Sequence, residues 1–161
     1  MNAELAKTIW EYDATTGNLV WKVSSGNGIY AGDKAGTITS SGYRAVAYLR
    51  KKHFVHRLAW LIITGEWPPI NIDHVDGNGL NNEWSNLRLA TQSQNLCNTR
   101  TRTDNDLGLK GVCRGHKGKF NAYICMKGKR KNLGTFSTAQ EAKAAYDAAA
   151  QQWHGKFARA A

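Results

Sequence analysis

Residues 72–98 read Ile-Asp-His-Val-Asp-Gly-Asn-Gly-Leu-Asn-Asn-Glu-Trp-Ser-Asn-Leu-Arg-Leu-Ala-Thr-Gln-Ser-Gln-Asn-Leu-Cys-Asn, and the reading of the chain turns on them. An apolar run ends in Asp73-His74, a polar loop rich in Asn and Gly follows, and a short strand-like piece covers residues 87–90. Thr91 is placed to N-cap one or two final helical turns. Strand, loop, strand and helix in that order would gather Asp73, His74, Asn86 and Asn95 around one point. Such groups suit one metal ion and one general base.

Immediately before this stretch, residues 56–64 carry Leu58, Leu61 and Ile62 at helical spacing, with Gly65 as a stop and Pro68-Pro69 beyond. His56 and Arg57 at the start of that helix face either the core or a substrate phosphate. Residues 1–55 read as strand-rich, with β-type runs at 19–23 and 43–49 and turns at 16–18, 25–27 and 41–42. Gly32, Gly36, Thr37 and Thr39 suggest an irregular hairpin. Arg50-Lys51-Lys52-His53 reads as a basic turn, either solvated or touching a phosphate backbone.

After the central stretch, residues 99–107 are polar and poor in apolar anchors, which reads as a linker in which Arg100 and Arg102 could follow DNA. From Gly108 three short strands are expected, over 110–115, 119–126 and 129–136, with Gly118 and Gly128 in the turns. In the middle one Phe120, Ala122, Ile124 and Met126 alternate with Asn121, Tyr123 and Cys125, so one face can be buried and the other exposed. Thr138 and Glu141 have capping-box spacing. The helix behind them places Ala142, Ala145, Tyr146, Ala149 and Trp153 on one stripe, so a three-stranded sheet backed by one helix is expected.

Composition narrows the class. The 161 residues are 42% hydrophobic, enough for one ordinary domain or two small ones and against wholesale disorder. No apolar stretch approaches the roughly 20 residues a bilayer span needs, and residues 1–10 lack a signal-peptide pattern. Cys97, Cys113 and Cys125 are odd in number and lack metal spacing, which reads as reduced thiols in a cytoplasmic protein. The net charge of +10 is unevenly placed. Residues 1–107 hold 11 Lys and Arg against 10 Asp and Glu, whereas residues 108–161 hold 11 against 2. That asymmetry points to a polyanion-binding module in the last third.

Phosphodiester hydrolysis needs a nucleophile made from water, stabilisation of the phosphorane charge and help for the leaving oxygen. Asp73 is an oxygen donor suited to a hard ion. His74 follows it directly, so a bulge or strand end is needed for both to serve one site.

Taken together, these residues resemble the HNH (ββα-metal) nucleases, in the branch found among phage and intron homing endonucleases. Tyr12, Gly17-Asn-Leu-Val-Trp, Gly42-Tyr43, His56-Arg-Leu-Ala-Trp60 and Gly65-Glu-Trp-Pro68 share the likeness, which covers roughly the first hundred residues. The resemblance implies His74 as the general base, Asp73 and Asn95 as holders of one divalent ion, Mg2+ or alternatively Mn2+, and Asn86 as a brace that helps orient His74. Asn78, Asn81 and Asn82 are rivals for the middle asparagine, and Asp76 is an alternative ligand.

A second resemblance lies in Gly111-Val112, Leu133-Gly134-Thr-Phe136, Glu141-Ala142, Ala145-Tyr146-Asp147-Ala-Ala149 and Gly155, which are similar to the plant ethylene-response-factor (APETALA-type) DNA-binding domain. It implies that the sheet enters the major groove. The expected DNA-contacting residues are Lys110, Arg114, Lys117, Lys119, Asn121, Tyr123, Arg130 and Asn132, with Arg130 best suited to grip guanine.

The expected architecture is α+β: a strand-rich region leading into an HNH core over 1–98, a linker over 99–107, and a small antiparallel sheet packed on one helix over 108–161. The expected activity is metal-dependent cutting of double-stranded DNA at or near a recognised site, with no membrane role. A monomer is favoured and a dimer is the alternative. A non-catalytic DNA-binding regulator is the rival reading, and RNA stays open as a substrate.

Overall fold

The computed structural model describes residues 1–24, 28–99, 101, 105–126 and 129–158. The expected turns at 25–27 and at Gly128, together with Arg100 and Arg102, lie outside the described residues. Helices and small antiparallel sheets share the chain, an α+β fold. It divides into two compact units, Met1–Ala90 and Thr91–Ala161.

The first unit opens with α1 (Ala3–Ile9), where a strand-rich segment is expected. The Asn2 side chain accepts from the Leu5 amide at 3.0 Å, and Ala3, Ala6 and Ile9 are buried, so a cap and one apolar stripe suffice for seven residues. Strands β1 (Trp10–Tyr12) and β2 (Leu19–Trp21) pair with Trp10 opposite Trp21. Strands β3 (Thr37–Ile38), β4 (Arg44–Tyr48) and β5 (Lys51–Phe54) form a second antiparallel sheet in that order. The expected basic turn is thus mostly strand, with the reversal at Leu49 and Arg50, both at positive φ.

Helix α2 (Val55–Thr64) follows at once and ends on Gly65 in the left-handed region. It is a shared wall. Val55, Leu58 and Leu61 join Ala6, Ile9, Trp10, Leu19 and Trp21 in the larger core. Ala59 packs on Ile72 and Leu87, beneath the hairpin of β6 (Asn71–His74) and β7 (Leu87–Ala90).

In the second unit, α3 (Gln92–Cys97) starts on a capping box formed by Thr91 and Gln94. Strands β8 (Val112–Arg114), β9 (Phe120–Met126) and β10 (Lys129–Phe136) form an antiparallel sheet with β9 in the centre. Helix α4 (Ala139–His154) begins on the expected Thr138–Glu141 box. Its Ala142, Tyr146, Ala149 and Ala150 are buried, against Val112, Ala122 and Ile124 of the sheet. A Cβ on Gly111 would lie 2.1 Å from the Tyr146 ring, so glycine is what lets that ring close on the sheet. Leu107, expected in the linker, packs with Leu109 on this core, and Asn105 donates to the Leu109 carbonyl at 2.8 Å. The turn into the first strand therefore belongs to the second unit.

Candidate functional site

The hairpin of β6 and β7 carries the site. Ile72 and Leu87 anchor it to α2, which leaves the end of β6 to present Asp73 and His74. Both are about 4% exposed. His74 is the last residue of its strand, which meets the expected need for a strand end. Asp73 faces Arg88 across the ladder. Arg88 Nε and NH2 donate to Asp73 Oδ2 at 2.8 and 2.6 Å. Arg88 escaped the sequence reading, because only the register of the hairpin sets it opposite Asp73.

The loop from 75 to 86 is built of side-chain bonds. Asp76 Oδ1 accepts from the Asn78 amide at 2.7 Å and from Asn86 Nδ2 at 3.0 Å, while Oδ2 accepts from Asn81 Nδ2 at 2.8 Å. Asn86 Oδ1 takes the Asp76 amide at 3.0 Å, and Asn86 Nδ2 also donates to the Asn81 carbonyl at 2.8 Å. Asn86 thus ties Asp76 and Asn81 together across the loop. Both Asp76 oxygens therefore accept bonds within the loop. Burial pushes the Asp76 carboxyl up, but the bonds from Asn78, Asn81 and Asn86 and the nearby His74 outweigh it, and it sits below its ordinary value.

The contact to the His74 ring comes from a different asparagine. Asn82, 2% exposed, places Oδ1 3.1 Å from His74 Nε2. Its Nδ2 donates to the Leu80 carbonyl at 3.2 Å, which fixes the amide so that oxygen faces the imidazole. In the tautomer that lets Nε2–H donate to that oxygen, the lone pair would be on Nδ1. The sequence reading expects Asn86 to help orient His74, and here Asn82 lies within hydrogen-bond distance of the ring. Four asparagines within nine residues look alike in sequence, and only the loop's path separates them.

Segments far away in sequence hold that path. The Tyr12 hydroxyl donates to the Asn82 carbonyl at 2.7 Å, and the Trp84 amide donates to the Ala14 carbonyl at 2.9 Å. Burial, then Asp13 and Glu83, push the Tyr12 phenol up to about 12, so it stays a donor. Gly17, at φ +68°, presses against the loop so closely that a Cβ there would stand 2.4 Å from the Asn82 carbonyl carbon.

Behind His74 lies an aromatic cluster. The His56 ring meets it edge-on, with centroids 5.1 Å apart, and Tyr43 lies 5.8 Å away. Phe54 stacks on His56 at 5.5 Å. His56 Nδ1 is buried with no hydrogen-bond partner among the described residues. Burial, then His74 and Arg57, pull the His56 pKa down to about 3, so it is a neutral packing residue. Of the two positions left open for His56, the core is the one observed. Burial also lowers the His74 pKa below 6.5, against the Asn82 bond and the charges of Asp76 and Asp73, which raise it. A neutral imidazole at physiological pH is what a base requires.

Asn95 lies on α3, in the second unit. Its amide oxygen and the Asp73 carboxylate are each hard donors of the kind that suits Mg2+ or Mn2+. Among the described residues no three His, Cys, Asp or Glu side chains come together to hold a metal. Waters and substrate oxygens would complete such a shell, as is usual for Mg2+.

The DNA-facing candidates sit on the second unit. Asn121, Tyr123 and Cys125 alternate with the buried Ala122 and Ile124 along β9. The Arg130 guanidinium lies 3.7 Å above the Tyr123 ring. Asn132 accepts the Gly134 amide at 2.9 Å at a bulge in β10, and Asn121 accepts the Thr135 hydroxyl at 2.7 Å. Lys117 and Lys119 are exposed in the turn before β9. Arg114 pairs with Asp106 at 2.7 Å on the surface. The Lys110 ammonium turns away from the role expected of it and donates to the carbonyls of Cys97 and Thr99. All three cysteines are free thiols.

Comparison with known proteins agrees with the geometry at the hairpin. A family profile described as HNH endonuclease matches residues 53–97, which cover the end of β5, α2, the hairpin and α3. An uncharacterized HNH endonuclease of Acanthamoeba polyphaga mimivirus is 37% identical over 120 residues, 73% of this chain and 62% of that protein. Protein 3.8 of Escherichia phage T7 is 32% identical over 106 residues, 65% of this chain and 87% of that protein. The chain spans less than two thirds of the mimivirus protein's length. No solved structure matches. No described helix is long and apolar enough to cross a membrane. From the profile over the hairpin and the likeness to the mimivirus protein, residues 53–97 are an HNH endonuclease domain.

Proposed function

We propose that the chain is a metal-dependent endonuclease of the homing type that hydrolyses phosphodiester bonds in double-stranded DNA, with His74 as its general base. The observation that carries this reading is the imidazole itself. It is buried, neutral and clamped through Nε2 by Asn82, so its Nδ1 lone pair is held in one orientation. Nδ1 would take a proton from water as the oxygen attacks phosphorus, and the 3′ oxygen would leave, giving 5′-phosphate and 3′-hydroxyl ends. A divalent ion held by Asp73 and Asn95 would supply charge stabilisation at the phosphorane and at the leaving oxygen. Asn86 acts one step back, by holding the loop that carries Asn82.

The second unit serves as the DNA-binding domain, of the APETALA-type kind, and presents its sheet to the major groove. Its excess of basic residues and the Arg130–Tyr123 stack support this. A second reading, a DNA-binding regulator without catalysis, draws on the Asp73–Arg88 pair, since a carboxylate already engaged by arginine must share its charge with any metal.

One assay tests both. Supercoiled DNA carrying the target is incubated with Mg2+, with wild type, with His74→Ala and with EDTA. Metal-dependent relaxed or linear product from wild type alone supports the nuclease, and relaxed circles indicate nicking by a monomer. Binding without cutting on the same DNA would replace the nuclease with the regulator.

A further inference from the structure

α3 is six residues long, and none of its side chains is buried. A helix this short is not stable by intrinsic propensity, so its ends and neighbours must hold it. The Thr91–Gln94 box closes the N-terminal end. At the other end Lys110 Nζ donates to the Cys97 carbonyl at 2.5 Å and to the Thr99 carbonyl at 2.6 Å. These carbonyls lie where a helix runs out of its own N–H donors, and a cation there also meets the negative end of the helix dipole. Cys97 Sγ lies 3.3 Å from His154 Nδ1 at the end of α4, a second tie on the same turn. Lys110 sits between Leu109 and Gly111, just before β8, whose Val112 is buried against Ala122 and Ala142. The backbone that carries Lys110 is therefore tied to the core of the sheet-and-helix module, while its ammonium reaches out to α3.

We infer that Lys110 is a positioning residue for the divalent-ion site: it secures the turn of α3 that carries Asn95. The inference rests on the reading of Asn95 as an ion ligand. Asn95 lies two residues before Cys97, the nearer of the two residues whose carbonyls Lys110 clamps. The C-terminal module then does more than hold DNA. It builds the end of the helix on which one ion ligand stands. Lys110 thereby exchanges a phosphate-binding role for an architectural one, and the two roles predict different measurements.

The test uses the full chain as wild type, Lys110→Met, Lys110→Arg and Asn95→Ala. Methionine keeps the apolar stem and removes the donor, while arginine keeps charge and donors. Mn2+ affinity is measured by calorimetry without DNA, amide exchange is followed at residues 95–98, and the salt dependence of duplex binding is recorded. The expected result for Lys110→Met is a loss of about ten-fold in Mn2+ affinity, in the range for residues that orient ligands. Faster exchange at residues 95–98 should accompany it, with β9 and β10 still protected, an unchanged salt slope, and recovery in Lys110→Arg. Unchanged Mn2+ affinity in Lys110→Met beside a loss in Asn95→Ala would overturn the inference alone. No change in Asn95→Ala would overturn the ion-site reading and the inference with it. A salt slope shallower by about 0.9 with unaltered exchange would return Lys110 to the phosphate backbone.

Discussion

Two polar surfaces in this molecule are built in opposite ways. The loop between β6 and β7 encloses its asparagines: Asn82 and Asn86 are buried, and Asp76 accepts from three loop residues. The outer face of the β8–β10 sheet leaves its polar side chains at the surface, with Arg130 resting on Tyr123 rather than sunk among partners. A group that must hold one proton at one atom needs neighbours that permit no second arrangement. Groups that meet a long polyanion need reach and charge, and water must remain able to leave them. The contrast teaches that burial, more than residue type, separates the asparagines of the hairpin loop from those of the sheet face.

The largest effect should come from removing the base. His74→Ala should lower kcat by about 10²–10⁴-fold while leaving duplex affinity intact, as read by single-turnover cleavage and by gel shift. Equal rates in the two proteins would remove His74 from the chemistry. In wild type, protonation of His74 on the acid side should abolish cutting, and because burial lowers its pKa that loss should set in below pH 6.5.

Acid stability probes the buried side next. The folded pKa of His56, about 3, lies below its ordinary 6.5. Its contribution is therefore present above pH 6.5 and is lost as pH falls toward 3. In that window this one residue should cost up to about 1.4 kcal/mol of stability per pH unit. His56→Phe should flatten the dependence of urea midpoint on pH between 7 and 4. An identical slope in both proteins would place the acid sensitivity elsewhere.

Asn82→Ala should cost about 1–3 kcal/mol in urea denaturation, because it strands buried groups, and should also lower kcat by freeing the imidazole. A stability loss with kcat preserved would reduce Asn82 to a loop residue. The smallest effect belongs to the exposed face. Lys119→Ala should shift binding uniformly across sequences and make the salt slope shallower by about 0.9, whereas Arg130→Ala should blur discrimination at one base pair. If Arg130→Ala weakened all duplexes equally, the sheet would be gripping backbone rather than reading bases.

Much of this was legible in the residues. Periodicity placed α2, β7, β9 and α4, and the Thr138–Glu141 spacing marked the start of α4 within a residue. Asp73 and His74 declared themselves by their place at the end of an apolar run. α1 was missed because seven residues offer only two apolar repeats, and its cap, Asn2, reads equally well as an N-terminal polar residue. The partners of Asn82, Arg88 and Lys110 were not readable for a common reason. Each is chosen by chain reversal: a loop that doubles back on His74, a ladder that sets Arg88 against Asp73, and a turn that returns Lys110 to the end of α3. Sequence spacing reports which groups exist, and such reversals decide which of them meet.

The clamp of Tyr12, Ala14 and Gly17 on the 75–86 loop bears on how this motif can travel between proteins. The stretch matched by the family profile begins at residue 53, yet the loop inside it is held by Tyr12, 70 positions upstream of Asn82. A graft of residues 53–97 into another host would carry the reactive letters without the frame that sets them. The smallest portable cassette runs from the N-terminal hairpin onward, and recombination that breaks the chain between Gly17 and His53 would separate a working loop from its mould.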